Sequence, residues 1–390
     1  MKIDHLILTF SLFCSTSSSQ TFQQFVGRIN AAPDSMKMGM VDSFMSINKT
    51  SPYLEQDTLA HFLFRGSFQN LGFTGDVNNW NQPGDQFTSV EGTNFWYYCL
   101  VCEPDARIDY KIVLNDSDSI LDPLNPNIIW GGFGPNSELR MPRYLLPPEI
   151  EYYADIPHGA ILDTNFYGIY LKNSRIIKLY LPPDYHQSEE RYDLVLFHDG
   201  LDYLALANAQ NVLDYLIWQQ RISPVIGLFV PAVDRTEEYA GDLKTAYCEL
   251  VVGEILPWVD NQFRTKNNPE SRVTIGCSAG GNISLWLGLH YSEIFGNIAA
   301  QSSYVEESIS VGFKNTSNSD LKIYMDVGVY DIPILQPLID DFILILRERN
   351  FSYRYRSYPE GHSWGSWRAH IDDVLEMFFP DPAFPTQSSR

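Results

Sequence analysis

The sequence predicts an α/β domain with a mostly parallel sheet, preceded by a β-sandwich. Two patterns support this assignment. After about residue 150, apolar strand-like runs alternate with segments of helical spacing, which indicates a parallel sheet covered by helices on both faces. Before that point, short aromatic and β-branched runs are separated by turn residues about every ten positions, which is typical of a β-sandwich. The length of 390 residues favours two domains.

The composition excludes several classes of protein and partner. Hydrophobic residues make up 44% of the chain and charged residues 19%, so the chain can bury large cores and is not disordered in character. Its 48 acidic and 27 basic side chains give a formal net charge of −21. This charge repels phosphate groups and argues against sequence-independent binding to nucleic acid or anionic lipid. We expect a neutral partner, or one that is met by a local basic pocket.

The first 19 residues have the shape of a secretory signal peptide. Lys2 precedes an apolar run over residues 6–13, and small residues follow Cys14. The run is too short to span a bilayer, and no later segment holds 18 uncharged apolar residues, so no membrane span is expected. We expect a secreted or periplasmic protein; the alternative is an apolar start without a targeting role. Export without lipidation is preferred to lipidation at Cys14, because phenylalanine is unfavourable immediately before a lipidated cysteine and Phe13 occupies that position.

The cysteines do not predict a metal site or another cofactor. Cys99 and Cys102 form a C-x-x-C motif, but the chain has no second such pair and no histidine pair with zinc spacing. On a strand, a spacing of three places the two side chains on opposite faces, which disfavours a disulfide between them. We expect both to be small buried hydrophobic residues.

The region before residue 145 is predicted to hold a helical segment and then the sandwich. Residues 22–45 have spaced apolar side chains and form a predicted helix that is interrupted near Pro33. Five strands are predicted next, at 59–65, 70–73, 87–90, 95–100 and 108–113. Residues 125–148 are rich in Pro, Gly and Asn and are predicted to be a linker. The accessory domain then covers 20–145 and the second domain 146–390.

The second domain shows the alternation of strands and helices that the fold class requires. The predicted strands are 175–181, 193–197, 225–230, 273–275, 298–300, 321–327 and 353–358. The predicted helices are 204–219, 244–263, 281–290 and 334–349.

Residues 276–280 form a G-x-S-x-G motif between a predicted strand and a predicted helix. This setting is that of a nucleophile elbow, in which glycines allow a tight turn and the serine protrudes at the carboxyl edge of the sheet. We therefore predict Ser278 as a nucleophile; the alternative is a glycine-rich turn with a solvated serine.

A nucleophilic serine needs a base and an acidic residue to orient that base. His362 lies in a loop after the last predicted strand, whereas His290 and His370 lie on helices that carry them away from the serine or into packing. Asp331 follows the strand before it and is preferred to Asp326, whose place inside that strand indicates a loop-stabilising hydrogen bond. Ser278, Asp331 and His362 are the predicted catalytic residues.

Backbone N–H groups must stabilise the negative charge that develops on the substrate oxygen. Ala279, directly after the nucleophile, is one predicted donor. The other is expected in the loop after residues 193–197, at Leu201 or Gly200. The predicted chemistry is the attack of Ser278 on an ester carbonyl, an acyl-enzyme, and release of the acid by water.

The sandwich resembles an early-set immunoglobulin-like module of the kind found before glycogen-branching enzymes, some feruloyl esterases and enterochelin esterases. The resemblance covers about residues 55–130 and rests on residues 75–80, 95–96, 110–113 and 122–123. Some such modules stack aromatic residues on sugar rings, so Trp80 is a candidate for carbohydrate contact, with core packing as the alternative.

Residues 150–380 resemble the α/β-hydrolase family of enterochelin (ferric-siderophore) esterases, feruloyl and acetyl-xylan esterases and antigen 85-type mycolyltransferases. The residues that carry the resemblance are 180–183, 198–200, 234–239, 276–281, 328–331 and 361–367. It implies substrate contacts from Arg235, Asp199 and Trp364. The alternatives are an ion pair of Arg235 with Glu238, and core packing of Trp364 together with Trp367.

The leading hypothesis is a secreted serine esterase that acts on a small-molecule or saccharide-linked ester. Its substrate could be a siderophore trilactone or a feruloyl or acetyl ester on polysaccharide, and the acyl acceptor could be a sugar instead of water. A carbohydrate-binding protein on a disabled hydrolase fold is the alternative from another class. The net charge weighs modestly against the strongly anionic ferric siderophore.

Overall fold

The computed structural model describes residues 21–317 and 320–383; the predicted signal peptide lies outside these residues. The described chain begins with two helices, α1 (Phe22–Ala31) and α2 (Asp34–Ile47), which meet at Pro33 as the sequence predicts. Thr21 caps α1, because its hydroxyl accepts a hydrogen bond from the N–H of Gln24 at 3.2 Å.

Ten strands follow and form two antiparallel sheets. They are β1 (Tyr53–Glu55), β2 (Leu59–Arg65), β3 (Leu71–Gly75), β4 (Asp85–Gln86), β5 (Thr88–Ser89), β6 (Phe95–Val101), β7 (Arg107–Leu114), β8 (Asp118–Ile120), β9 (Ile128–Gly131) and β10 (Gly134–Arg140). The first sheet has the order β1-β2-β6-β5, and the second has the order β4-β3-β7-β10-β9 with β8 beside β7. We call residues 53–140 the two-sheet region.

Aromatic side chains hold the two sheets together. Phe62 of β2 lies 4.7 Å from Phe73 of β3 and 4.8 Å from Tyr110 of β7, measured between ring centroids. All three side chains are fully buried. The five predicted strands overlap β2, β3, β5, β6 and β7, because most of these runs place large apolar side chains on this shared face, whereas β1, β4, β8, β9 and β10 were not predicted.

The predicted linker at residues 125–148 is wrong for most of its length. It contains β9 and β10, which pair with each other, and β10 also pairs with β7. The glycines that indicated a flexible connection form the tight turn of this hairpin, where Gly134 has a φ of 100°.

The cysteine predictions are partly wrong. Cys99 and Cys102 are not bridged, in agreement with their spacing, but Cys99 is exposed and only Cys102 is buried. Cys99 lies on the face of β6 that points away from the core between the two sheets; α1 and α2 bury Phe95 at the start of this face, but Cys99, near the end of the strand, stays exposed.

The remaining strands form one eight-stranded sheet. They are β11 (Ala160–Gly168), β12 (Asn173–Leu181), β13 (Asp193–His198), β14 (Val225–Val230), β15 (Arg272–Cys277), β16 (Asn297–Gln301), β17 (Lys322–Tyr330) and β18 (Ser352–Gly361). The order is β11-β12-β14-β13-β15-β16-β17-β18. The strands from β14 to β18 are parallel, whereas β11 and β12 are antiparallel additions at one edge.

In the described part of the chain, ten helices lie around this sheet. They are α3 (Gly200–Ala205), α4 (Ala209–Trp218), α5 (Arg235–Tyr239), α6 (Lys244–Glu249), α7 (Leu256–Gln262), α8 (Ala279–His290), α9 (Glu307–Asn315), α10 (Leu335–Glu348), α11 (Trp364–Arg368) and α12 (Ile371–Phe378). The predicted helix 244–263 is interrupted by a π-helical segment, Leu250–Ile255. Pro257 explains this change, because it lacks an N–H group and its ring cannot pack against the preceding α-helical turn.

Both faces of the sheet are buried. Along β13, Val195 and Phe197 pack into one apolar cluster with α4 and α12, while Leu194 and Leu196 pack into another with α6 and α7. This alternation of sides confirms the predicted parallel sheet with two helical layers. Within residues 21–317 and 320–383, no helix is long and apolar enough to cross a membrane.

A matched pair of truncations tests the shared core of the two-sheet region. We expect Phe62→Ala to lower the free energy of unfolding by about 3–5 kcal/mol, because it removes a large buried ring from between the sheets. Phe133→Ala removes the same atoms from a fully exposed position and should change stability by less than about 0.5 kcal/mol. Urea unfolding of both variants measures the difference; equal losses of stability would contradict the burial of Phe62 between the two sheets.

Candidate active site

Ser278 lies in a strained turn between β15 and α8. Its backbone has φ 55° and ψ −121°, a conformation that non-glycine residues rarely adopt. The turn is so tight that a Cβ atom on Gly276 would lie 2.2 Å from the carbonyl oxygen of Gly280. The N–H of Ser278 donates to the carbonyl of Gln301 at 2.8 Å, which holds the turn against β16. This geometry agrees with the elbow that the motif predicts.

Asp331 and His362 form a close hydrogen-bonded pair. His362 Nδ1 lies 2.6 Å from Asp331 Oδ1, and the aspartate is buried while the imidazole is partly exposed. Asp331 follows β17 and His362 follows β18, and these parallel strands are neighbours in the sheet. The N–H of Ile332 also donates to Asp331 Oδ1, at 2.7 Å. The carboxylate is therefore fixed in a position to orient the imidazole.

Ser278 and His362 are connected through Gln301 and Trp367. The side-chain amide of Gln301 donates to the backbone carbonyl of Trp367 at 3.0 Å, and the backbone carbonyl of Gln301 accepts the N–H of Ser278. The Trp367 ring meets the His362 ring edge-on at 4.9 Å between centroids. In the part of the chain that the structure describes, no hydrogen bond joins the Ser278 hydroxyl to the imidazole. The catalytic roles of the three residues stay a prediction.

The backbone N–H groups of Ala279 and Leu201 lie at the starts of two helices near this edge. Ala279 is the first residue of α8 and Leu201 the second residue of α3, positions whose N–H groups have no acceptor within the helix. Asp199 begins the α3 turn with a φ of 52°, and a Cβ on Gly200 would lie 2.4 Å from the backbone of Phe229. The oxyanion-hole role of the two N–H groups stays a prediction.

Arg235 and Asp199 form a bidentate ion pair beside Ser278. Arg235 Nε lies 2.9 Å from Asp199 Oδ1 and Nη2 lies 2.8 Å from Oδ2, while Nη2 also donates to the carbonyl of Cys277 at 3.2 Å. Burial raises the pKa of Asp199, and the bonds from Arg235 oppose this rise. The predicted alternative, a pair of Arg235 with Glu238, is wrong because Glu238 binds Arg175 at 2.8 Å.

Three further residues that the sequence analysis discusses, Trp364, His370 and Asp326, pack in the core or stabilise a loop. Trp364 is buried and meets the rings of Tyr203 and Trp367 edge-on, so its position fits core packing, and a substrate contact stays a prediction. His370 is stacked on Tyr358, and its Nε2 lies 3.1 Å from Glu360 Oε1. Asp326 accepts the N–H of Ser302 at 3.2 Å, as expected of a residue that stabilises a loop.

Sequence reasoning missed Gln301 and Tyr203. Gln301 joins the nucleophile turn to the segment that follows His362, and Tyr203 donates its hydroxyl to Gln301 Oε1 at 2.9 Å. The available signal was a polar residue at the carboxyl end of an apolar strand, the edge at which sites on parallel sheets are built.

Comparisons with known proteins agree with this architecture. The Esterase family matches residues 169–378. The iron(III) enterobactin esterase of Escherichia coli O6:H1 is 28% identical over 329 residues, which cover 75% of this chain and 81% of that protein. The crystal structure of the Shigella flexneri enterobactin esterase has a TM-score of 0.73 at 21% identity and covers 86% of this chain and 97% of that chain. A ferulic acid esterase of Anaeromyces mucronatus has a TM-score of 0.51 at 16% identity, covering 60% and 96%.

The mixed sheet with helices on both faces and the turn at Ser278 define an α/β hydrolase. Within that class, the chain belongs to the Esterase family, which matches more than half of its length, and it is an ester hydrolase of the enterochelin and feruloyl esterase-like type.

The buried His198 beside this site yields a test by pH. Its ring nitrogens lie 2.8 Å from the Tyr247 hydroxyl and 2.9 Å from the Thr274 hydroxyl, and burial lowers its pKa to about 3. A neutral buried histidine that becomes charged on unfolding contributes stability above its unfolded pKa of about 6.5, and this stability is lost as the pH falls toward the folded pKa.

We therefore expect the free energy of unfolding to fall between pH 6 and pH 4 more steeply in the parent than in His198→Gln. The difference in slope should be about 1.4 kcal/mol per pH unit, the value for one proton. His186→Gln, which changes an exposed histidine, is the control and should follow the parent closely. Parallel curves for the parent and His198→Gln would show that His198 is not held neutral.

Proposed function

We propose that this esterase is a serine hydrolase that acts through an acyl-enzyme. Ser278 is the nucleophile, His362 the general base and Asp331 the residue that orients the base. The observation that carries the proposal is the 2.6 Å hydrogen bond between Asp331 and His362 at the sheet edge where the strained Ser278 turn emerges.

In the proposed reaction, His362 takes the proton of the Ser278 hydroxyl as its oxygen attacks the ester carbonyl. Asp331 stabilises the imidazolium that forms. The N–H groups of Ala279 and Leu201 bind the negative oxygen, and the loss of one such donor would raise the barrier by about 3 kcal/mol. His362 then protonates the leaving alcohol, and water, deprotonated by the same imidazole, hydrolyses the acyl-enzyme.

The proposed substrate is a siderophore trilactone of the enterobactin type. The support is the similarity to an iron(III) enterobactin esterase over 81% of that protein's length. The net charge of −21 and the neutralisation of Arg235 by Asp199 disfavour a strongly anionic ferric complex. We therefore propose that the iron-free trilactone is the better substrate.

The second candidate substrate is a feruloyl or acetyl ester on polysaccharide. Exposed apolar side chains at the carboxyl edge of the sheet favour a neutral aromatic acyl group; they are Val233, Tyr304, Val329 and Ile332. Acyl transfer to a sugar uses the same acyl-enzyme and differs only in the acceptor. A carbohydrate-binding protein without activity is less well supported, because binding alone has no use for the Asp331–His362 pair.

We also propose the domain division and the location of the protein. Residues 20–145 form an early-set immunoglobulin-like domain, which two antiparallel sheets with a shared aromatic core support, and 146–390 form the hydrolase domain. Trp80 is half-buried and donates to Asp76 at 3.0 Å, so core packing explains it better than sugar stacking. The first 19 residues direct export to the periplasm or the exterior.

Replacement of the nucleophile tests the mechanism. We expect Ser278→Ala to lower kcat for p-nitrophenyl acetate and methyl ferulate by about 10⁴-fold or more, because no oxygen is left to form the acyl-enzyme. Ser43→Ala, which changes an exposed serine of α2, is the matched control and should retain full activity. An inactive parent, or equal turnover by Ser278→Ala, would refute the proposal.

Competition between substrates tests the assignment of the ester. We expect kcat/KM for the iron-free enterobactin trilactone to exceed the values for its ferric complex and for methyl ferulate. The gap between iron-free and ferric forms should narrow as salt rises, because salt screens the repulsion of the anionic complex. Cleavage of methyl ferulate without cleavage of either trilactone would favour the polysaccharide ester instead.

A further inference from the structure

A buried arginine of the two-sheet region contacts the segment that carries His362. Arg107, at the start of β7, is fully buried, and its Nη1 donates to the Ser363 hydroxyl at 3.0 Å. Ser363 directly follows His362, and its hydroxyl also accepts the N–H of Ser366 at 3.4 Å, which caps α11. The arginine therefore contacts the residue that directly follows His362 in the chain.

Two buried carboxylates hold the guanidinium of Arg107 in place. Arg107 Nη2 lies 2.5 Å from Asp109 Oδ1, and Nε lies 2.5 Å from Glu138 Oε1. The second oxygen of Asp109 accepts the side-chain amide of Asn136 at 3.0 Å, and that of Glu138 binds Arg140. A guanidinium fixed on two sides by buried acids has one orientation, so its third bond to Ser363 has a defined direction.

The segment around His362 packs so closely against this cluster that neither of its two glycines could be replaced by a residue with a side chain. A Cβ atom on Gly361 would lie 2.0 Å from Asp76 Cγ, and one on Gly365 would lie 1.8 Å from Arg107 Nη2. Asp76 belongs to the same cluster, because its Oδ2 accepts the N–H of Asp109 at 2.8 Å. Residues 361–365 therefore lie directly on the polar cluster of the two-sheet region.

The segment that carries Asp331 has a separate contact with the same region. The Tyr330 hydroxyl donates to the carboxylate of Glu103, and Tyr330 directly precedes Asp331. The residues adjacent in sequence to Asp331 and His362 are therefore both hydrogen-bonded to the two-sheet region.

We propose that Arg107 and Glu103 are positioning residues for the reaction. Arg107 acts through Ser363 on His362, and Glu103 acts through Tyr330 on Asp331. The inference rests on the proposed catalytic roles of that pair. It makes the two-sheet region part of the catalytic apparatus: it sets the geometry of proton transfer and leaves substrate binding to the hydrolase residues. A misplacement of about 1 Å at such a site can cost about 100-fold in rate.

A double-mutant cycle at Arg107 and Ser363 tests the first contact. We expect Arg107→Lys and Ser363→Ala each to lower kcat on p-nitrophenyl acetate by about 10- to 100-fold, with KM changed less than about twofold. The double variant should lose no more than the worse single variant, because both changes remove the same bond. Ser363→Thr keeps the hydroxyl acceptor and should restore most of kcat.

The contact of Tyr330 has a matched control in the same region. Tyr330→Phe removes the bond to Glu103 and should lower kcat with little change in KM. Tyr98→Phe removes an equivalent bond to Asp85 on the surface of the two-sheet region and should leave kcat unchanged. For a second control, Thr21→Ala removes a helix cap far from the site. Rates are measured at a temperature where every variant is folded.

A spectroscopic measurement separates this inference from the proposed reaction. The proton between His362 Nδ1 and Asp331 Oδ1 should give a downfield ¹H NMR signal, which Asp331→Asn assigns by its loss. We expect the signal to persist in Ser278→Ala and Tyr98→Phe and to broaden or shift in Ser363→Ala, Arg107→Lys and Tyr330→Phe. A parent that gives this pattern but cleaves no ester would refute the proposed reaction, while it would still support the positioning of the Asp331–His362 pair by Arg107 and Glu103. An unchanged signal and unchanged kcat, or losses in the cycle that simply multiply, would overturn the positioning role.

Discussion

The parallel pairing of β15, β16, β17 and β18 is the constraint on which the site depends. Because parallel strands end at one edge, the residues that follow them meet there despite their distance in sequence. Ser278 follows β15, while Asp331 and His362 follow β17 and β18, which are adjacent. The intervening β16 supplies Gln301, which bonds to both sides. A shift in the register of β18 against β17 would separate the acid from the imidazole.

The strain at Ser278 is maintained by the packing around it. A positive φ at a residue with a side chain costs about 1–3 kcal/mol, and such a residue persists only where its surroundings determine it strongly. Here the N–H of Ser278 is bound to Gln301, and the glycine at 276 lets two backbone segments touch. The same reasoning applies at Asp199, whose left-handed backbone starts α3 and whose side chain is tied to Arg235.

The sequence predicted the elements with strong local patterns and missed those that depend on distant partners. The strand 225–230 and the break at Pro33 were predicted correctly because apolar runs and proline act locally. β11 was missed because most of its side chains are exposed, so it has no apolar pattern. The contact of Arg107 with Ser363 joins residues 256 positions apart, and no motif links the two. The order of the motifs around Ser278, Asp331 and His362 predicted the Asp331–His362 pair, but nothing local indicated which residues hold that pair in place.

The location of the Arg107 cluster is informative because burial of charge is a weak source of stability. A buried ion cluster is often no more stable than well-packed apolar side chains of similar volume, since desolvation offsets the attraction between the charges. The same region fills the rest of its core with aromatic rings, so apolar packing was available to it. What a guanidinium between two acids provides and a hydrophobic residue does not is a hydrogen bond with a fixed direction. That bond is directed at the residue next to His362. Directional control of the imidazole is therefore a better explanation of the cluster than stability alone.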